Sequence, residues 1–245
     1  MRYRLPLLLL LSVFLFTSCQ TITRSRTELG IPESRVYFSF DDGPSARGDT
    51  TAQLLDVLKK YQIRAVFCLL GENVRRYPDL VKRIYEEGHI IVNHGYKDKW
   101  ASKMDEDEFR NNIVLGEEAI IAALGFNPNP GLYRPHGGFY NSKQEKILVD
   151  EGYTIVPVTV RVYDSIDTAM TRKKVARKIV RILERQGGGI VLLHDERGSL
   201  SGHKARHEKK TRGPYNRSWI PEAVEEIIVV LLSKGFILDD PITYF

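Results

Sequence analysis

Cysteine is almost missing from this chain, whose 245 residues include only Cys19 and Cys68. That excludes a disulfide-stapled scaffold, so the fold must rest on its core. No apolar run reaches the roughly 20 residues that a spanning helix requires. Internal repeats and low-complexity segments are lacking as well. The net charge of +5 is mild and lacks the concentrated basic stripe of a nucleic-acid binder, so no nucleic-acid partner is expected. What remains is ordinary globular composition, 42% hydrophobic and 27% charged, in a chain long enough for one sizeable core.

The first residues belong to a different regime. Arg2 and Arg4 precede the apolar stretch from Leu5 to Phe16, and Thr17-Ser18-Cys19 follows with small residues. A short positive segment, a short apolar one and small residues make an export signal over residues 1–18. Phe16-Thr17-Ser18-Cys19 is similar to a lipobox, with Phe16 where a Leu is more usual, so Cys19 is the expected lipidation site. Ordinary cleavage and an uncleaved anchor are the alternatives. Loss of Arg2 and Arg4 would lower the charge to about +3. Residues 19–33, polar and without periodicity, are expected to form the lipidated N-terminus and a tether, and residues 34–245 one domain. Cys68, within an apolar run, reads as a small buried hydrophobe.

Beyond residue 34, short apolar runs alternate with amphipathic ones. Strands are expected at Val36–Phe40, Ala65–Leu70, His89–Val92, Leu132–Arg134, Thr154–Val160 and Ile190–Leu193. Helices are expected at Thr50–Tyr61, Pro78–Glu87, Asp105–Leu124, Ser142–Glu151, Lys173–Gln186 and Pro221–Ser233. The alternation predicts an α/β fold, a mostly parallel sheet with helices outside it. About seven strand–helix units favour a barrel-like closure, with chemistry at the C-terminal strand ends.

Five strand ends carry polar residues that a plain core would not place there. Asp41-Asp42-Gly43-Pro44 follows an apolar strand, and adjacent carboxylates repel unless a cation or proton is shared. A turn with an N-capping Asp is the plainer reading. His94 and Asp98 are four apart, so one helical turn would set both toward one metal ion, although such pairs also arise by chance on surface helices. Arg134-Pro135-His136-Gly137-Gly138, Asp164 and Leu192-Leu193-His194-Asp195 complete the set. A lone histidine at a strand exit is more often structural than catalytic.

In this order the five segments resemble the motifs of the NodB-type polysaccharide deacetylases, carbohydrate esterase family 4, over about residues 34 to 240. Ser39-Phe40-Asp41-Asp42-Gly43 carries the most specific match. The resemblance implies a distorted (β/α)7-type barrel in a single domain. It implies Asp41 as the base that deprotonates the attacking water, and Asp42 and His94 as metal ligands. Arg134 and Asp164 would orient and tune the base. His194 would protonate the leaving amine, Leu192 would line the acetyl methyl pocket, and a backbone N–H at Gly137 would hold the oxyanion. The third ligand is usually a histidine four residues after the first, where this chain has Asp98, expected here as the third ligand. His136 replaces a usual proline and reads as a substitute ligand or a substrate contact. Gly137 and Ser165 stand where aromatics are usual.

The expected activity is therefore metal-dependent removal of N-acetyl groups from a cell-wall or surface polysaccharide by a monomeric, membrane-anchored envelope lipoprotein. The ion is expected to be zinc, with cobalt, nickel or manganese admitted by a carboxylate-rich site. A non-catalytic glycan-binding lipoprotein and an O-acetyl esterase of xylan type are the alternatives. Residues 196–219, rich in Lys and Arg, are expected to be a solvated loop or a flap facing anionic glycan or lipid.

Overall fold

Alternation in the first long strand sets the plan of the molecule. Val36, Phe38 and Phe40 face a large apolar cluster shared with the helices. Tyr37, Ser39 and Asp41 face the opposite way, and Tyr37 joins a second cluster. One strand thus separates a helix-facing core from an interior that ends in a carboxylate.

The computed structural model describes residues 19–164, 171–196 and 217–241. In chain order the elements are β1 (Gln20–Thr21), β2 (Arg35–Asp41), α1 (Thr50–Lys60), β3 (Val66–Leu69), α2 (Gly71–Arg76), α3 (Pro78–Glu86) and β4 (Ile90–Asn93). There follow α4 (Glu106–Leu124), β5 (Leu132–Tyr133), β6 (Phe139–Tyr140), α5 (Ser142–Asp150), β7 (Thr154–Ile155) and β8 (Val160–Arg161). The last are α6 (Arg172–Gln186), β9 (Gly188–His194), α7 (Ile220–Ser233) and β10 (Ile237–Leu238). Asp105 caps α4 through the Glu108 amide, and Asn141 with Gln144 forms a capping box on α5. α6 buries Val175, Ala176, Ile179, Val180 and Leu183 on one face, as its 3.6-residue period requires. No helix among the described residues is long and apolar enough to cross a membrane.

The main sheet is parallel, in the order β7-β5-β4-β3-β2-β9-β8, with β10 against the start of β2. Its two edge strands are consecutive in sequence. The expected strand Thr154–Val160 is interrupted: Val156 N–H still bonds Tyr133 O, whereas Thr159 N–H bonds Ile190 O. One chain stretch therefore crosses from one edge of the sheet to the other and closes the distorted barrel covalently. Pro157, which has no N–H to give a ladder, lies at the crossing.

Residues 20–33 are not the expected tether. β1 pairs antiparallel with β6, Thr23 bridges Val158, and Ile22 and Ile31 are buried with Tyr37, Tyr140, Val158, Ile190 and Leu192. Polarity around these two isoleucines hides the segment in the sequence. It covers the inner side of the barrel beside the interrupted strand, where the sheet alone would leave apolar surface open. The expected signal segment 1–18 lies outside the described residues, and Cys19 is exposed.

Candidate active site

β2 delivers Asp41 to the barrel mouth, and a left-handed backbone at Asp42 (φ 75°) turns the chain there. The Asn73 side chain of α2 donates to Asp42 O at 2.7 Å, and Leu70 N–H donates to Gly43 O at 3.1 Å. The turn is held from below by a short helix that sequence periodicity does not reveal. Gly43 is required, because a Cβ there would lie 2.5 Å from the Asp195 carboxylate oxygens.

Arg134 is wholly buried beneath this turn. Its Nη1 donates to Asp41 Oδ1 at 2.6 Å and to Ser39 Oγ at 3.0 Å. Its Nε donates to Val156 O at 3.1 Å and its Nη2 to Pro157 O at 3.3 Å. The same guanidinium thus orients the carboxylate and satisfies the carbonyls of the interrupted strand. Burial opposes ionisation of Asp41, yet Arg134, with His94 and His194, holds its carboxyl below the ordinary value.

Three donor side chains converge beside Asp41: Asp42, His94 and His136. His94 donates its Nδ1–H to Arg134 O at 2.7 Å, which fixes the tautomer. Its Nε2 lone pair then faces Asp42 Oδ1 at 3.5 Å and Asp41 Oδ2 at 3.7 Å. His136 Nε2 lies 3.3 Å from the same Asp42 oxygen. Lone pairs brought together in a buried place repel unless a cation or a proton lies between them. Two imidazole nitrogens and one carboxylate oxygen also form a donor set suited to a divalent ion, zinc above all. The residues present fit a metal.

Asp98, expected as the third ligand, lies outside this set. The helical turn that would align it with His94 does not form. Gly95 takes φ 84°, and the Asn112 side chain accepts from the Tyr96 and Lys97 amides, drawing the chain into bends. Asp98 Oδ1 instead lies 3.1 Å from His136 Nε2. His136, expected as a substrate contact or a substitute ligand, is the third member of the donor cluster. Burial disfavours the charge on Asp42, but the two imidazoles beside it, His136 before His94, draw its carboxyl well below the ordinary range.

The other wall of the site comes from β9. His194 is the cross-strand neighbour of Asp41 in the β2–β9 register. Its Nδ1 is 2.9 Å from Asp164 Oδ1, and its backbone N–H donates to Asp164 Oδ2 at 3.1 Å. Arg217 donates to the same Oδ2, to Asp164 O at 2.8 Å and to His194 O at 3.0 Å. Burial lowers the His194 pKa, but Asp164, with Asp42 and Asp41, outweighs it and the net direction is up. Asp164 is itself held low, against burial, by His194 and Arg217.

Leu192 lies on the inner face, buried two residues before His194. Gly137 is in a left-handed turn (φ 80°) beside His136. A Cβ there would come within 2.8 Å of the Trp100 ring, so Trp100 covers the place where an aromatic is usual. Arg161 Nη2 donates to Gly137 O at 2.9 Å and steadies this turn. His89 is remote from the cluster: it accepts the Ala65 N–H, and burial brings its pKa down to about 4. Cys68 is buried among Val66, Ile90, Val92 and Val156, and burial pushes its thiol well up. Ser165 and residues 197–216 lie outside the described residues. Glu196 and Arg217, within the expected loop 196–219, are buried rather than solvated. Sequence reasoning misses Arg217, since it is one cation among many. Only Trp219, whose ring its guanidinium overlies at 4.8 Å, sets it apart.

Comparison with known proteins agrees with this fold. The polysaccharide deacetylase family model matches residues 30–156. A peptidoglycan-N-acetylglucosamine deacetylase of Bacillus cereus is 38% identical over 132 residues, which is 54% of this chain and 46% of that protein. This chain thus spans less than half the length of that relative. A second B. cereus protein of the same description is 33% identical over 66% of this chain and 73% of its own length. The crystal structure of the Bc1960 peptidoglycan N-acetylglucosamine deacetylase superposes with a TM-score of 0.66 at 30% identity, covering 87% of this chain and 88% of that one. With the fold, the motif order and these relatives in agreement, the chain belongs to the polysaccharide deacetylase family.

Proposed function

We propose that this protein hydrolyses the N-acetyl groups of amino sugars in peptidoglycan. The observation that carries the reading is the placement of Asp41 and His194 as cross-strand neighbours beside the Asp42–His94–His136 cluster. A divalent ion held by those three would make a water more acidic and polarise the acyl carbonyl. Asp41, kept charged by Arg134, takes the proton from the attacking water. His194 turns its Nδ1 toward Asp164, which leaves Nε2 to hand a proton to the departing nitrogen. The Gly137 turn presents backbone at the mouth, where the carbonyl oxygen gathers charge. The B. cereus relatives, named for peptidoglycan N-acetylglucosamine, support the substrate class.

The export signal and the exposed Cys19 support an envelope protein anchored by a lipid. The donor set found favours zinc over the harder metals that an Asp–His–Asp site would have admitted. It also weighs against the non-catalytic glycan binder, because His136 offers a second imidazole beside His94.

Acetate release from N-acetylated peptidoglycan fragments by the zinc-loaded protein tests the proposal. Asp41→Asn and His194→Ala should each lower kcat by about 10²- to 10⁴-fold. Turnover undiminished in either variant would overturn the roles. Release confined to O-acetyl esters would make the protein an esterase instead.

A further inference from the structure

We propose that Arg217 is a positioning residue for the proton donor. It fixes the Asp164 carboxylate so that the His194 imidazolium keeps its Nδ1–H on Asp164 and presents its Nε2–H to the leaving group. The inference rests on the deacetylase reading above and adds a residue that none of the five motifs contains.

Arg217 is 3% exposed, deeply buried for a cation on a long stem. Its bonds account for that burial. Nη1 donates to Asp164 O at 2.8 Å, Nη2 to Asp164 Oδ2 and to His194 O at 3.0 Å, and Nε to His194 O at 3.2 Å. All of these acceptors belong to the two residues of the Asp164–His194 pair. A planar five-donor fork is the side chain able to bridge two strand exits in this way, and a lysine, with three donors on one atom, cannot reproduce its spread. The Trp219 ring, 4.8 Å away, holds the guanidinium from its face.

Two consequences follow for His194. With Oδ2 taken by Arg217 and by the His194 amide, only Oδ1 is left for the ring, so the carboxylate cannot rotate away from Nδ1. Asp164 also shares its charge between two cations instead of one. It therefore orients the imidazole without becoming an exclusive ion-pair partner that would hold the proton against transfer. A purely structural role, tying the β8 exit to the β9 exit, would need the backbone bonds alone. The bond to Oδ2 is the one that reaches the chemistry.

The test compares the parent protein with Arg217→Ala, Arg217→Lys and His194→Gln in the otherwise intact chain. Proton NMR of the metal-free protein should show a low-field Nδ1–H signal that His194→Gln removes and so assigns. Arg217→Ala should lose or broaden that signal. It should also lower kcat on the order of 10- to 100-fold with KM changed less than about threefold, a smaller loss than removal of His194. Arg217→Lys should recover part of both. Should Arg217→Ala fail to fold, Arg217→Lys still decides, since it keeps the charge and loses the fork. An unchanged His194 signal in the substituted protein, with or without a fall in kcat, overturns the proposal. Absence of acetate release by the parent protein would overturn the deacetylase reading alone, because the signal still reports whether Arg217 orders His194.

Discussion

His136 lies between two carboxylates, Asp42 at 3.3 Å and Asp98 at 3.1 Å, and its Nε2 can serve only one acceptor or one ion at a time. The two acids are therefore not equivalent. His136→Ala should abolish retention of a divalent ion, whereas Asp98→Asn, which leaves the three donors of the cluster in place, should weaken it less. Metal content after dialysis separates the two, and the reverse order would return Asp98 to the ligand set. Asp195 poses a different problem. It is fully buried, Oδ2 accepts from Thr51 at 2.5 Å, and Oδ1 has no partner. Burial raises its pKa from 3.8 to about 7, with Thr51 opposing and Glu196 assisting. The folded state thus holds a proton that the unfolded state has released between these values, so stability from this group falls as pH rises from about 4 to 7. Asp195→Asn should raise the melting temperature more at pH 8 than at pH 5, and an equal gain at both would contradict it.

Among the elements, the interrupted strand between β7 and β8 depends most on a single side chain. Arg134 satisfies the carbonyls of Val156 and Pro157 while it pairs with Asp41. Arg134→Met should cost about 3–5 kcal/mol, mainly because Asp41 would be left buried and unpaired. Denaturant midpoints would measure this, and a loss below about 1 kcal/mol would mean that the site relaxes. The six longer helices and the central strands are legible because their burial is periodic, as in α6 and β2. The interruption at Pro157 is less so, since an apolar run from Thr154 to Val160 has the same composition whether or not it crosses the barrel. Asp41, Asp42, His94 and His194 are legible through their order along the chain. The helical turn expected to join Asp98 to His94 does not form, because Gly95 breaks it, although Asp98 still lies against His136 Nε2. Arg217 is invisible for another reason: nothing local distinguishes a cation that will be buried by a distant acid.

At the scale of the whole molecule, the N-terminal segment is part of the core. Ile22 and Ile31 are each 2% exposed against the inner face of β2 and β9. Ile22→Ala and Ile31→Ala should each cost about 2–5 kcal/mol, as large-to-small changes in a core do. Melting curves that match the parent would show the segment to be dispensable. The expected tether would have behaved as a leash. A free coil of residues 20–33 would span about 20 Å on average, comparable to the roughly 17 Å radius of gyration of a domain this size. With those residues bound into β1 and the interior, that slack is gone. With Cys19 acylated, as proposed, the catalytic body would ride directly on the bilayer with no room to swing. Its working range would then be set by its own thickness, and the glycan it can reach would be the layer lying immediately against the membrane.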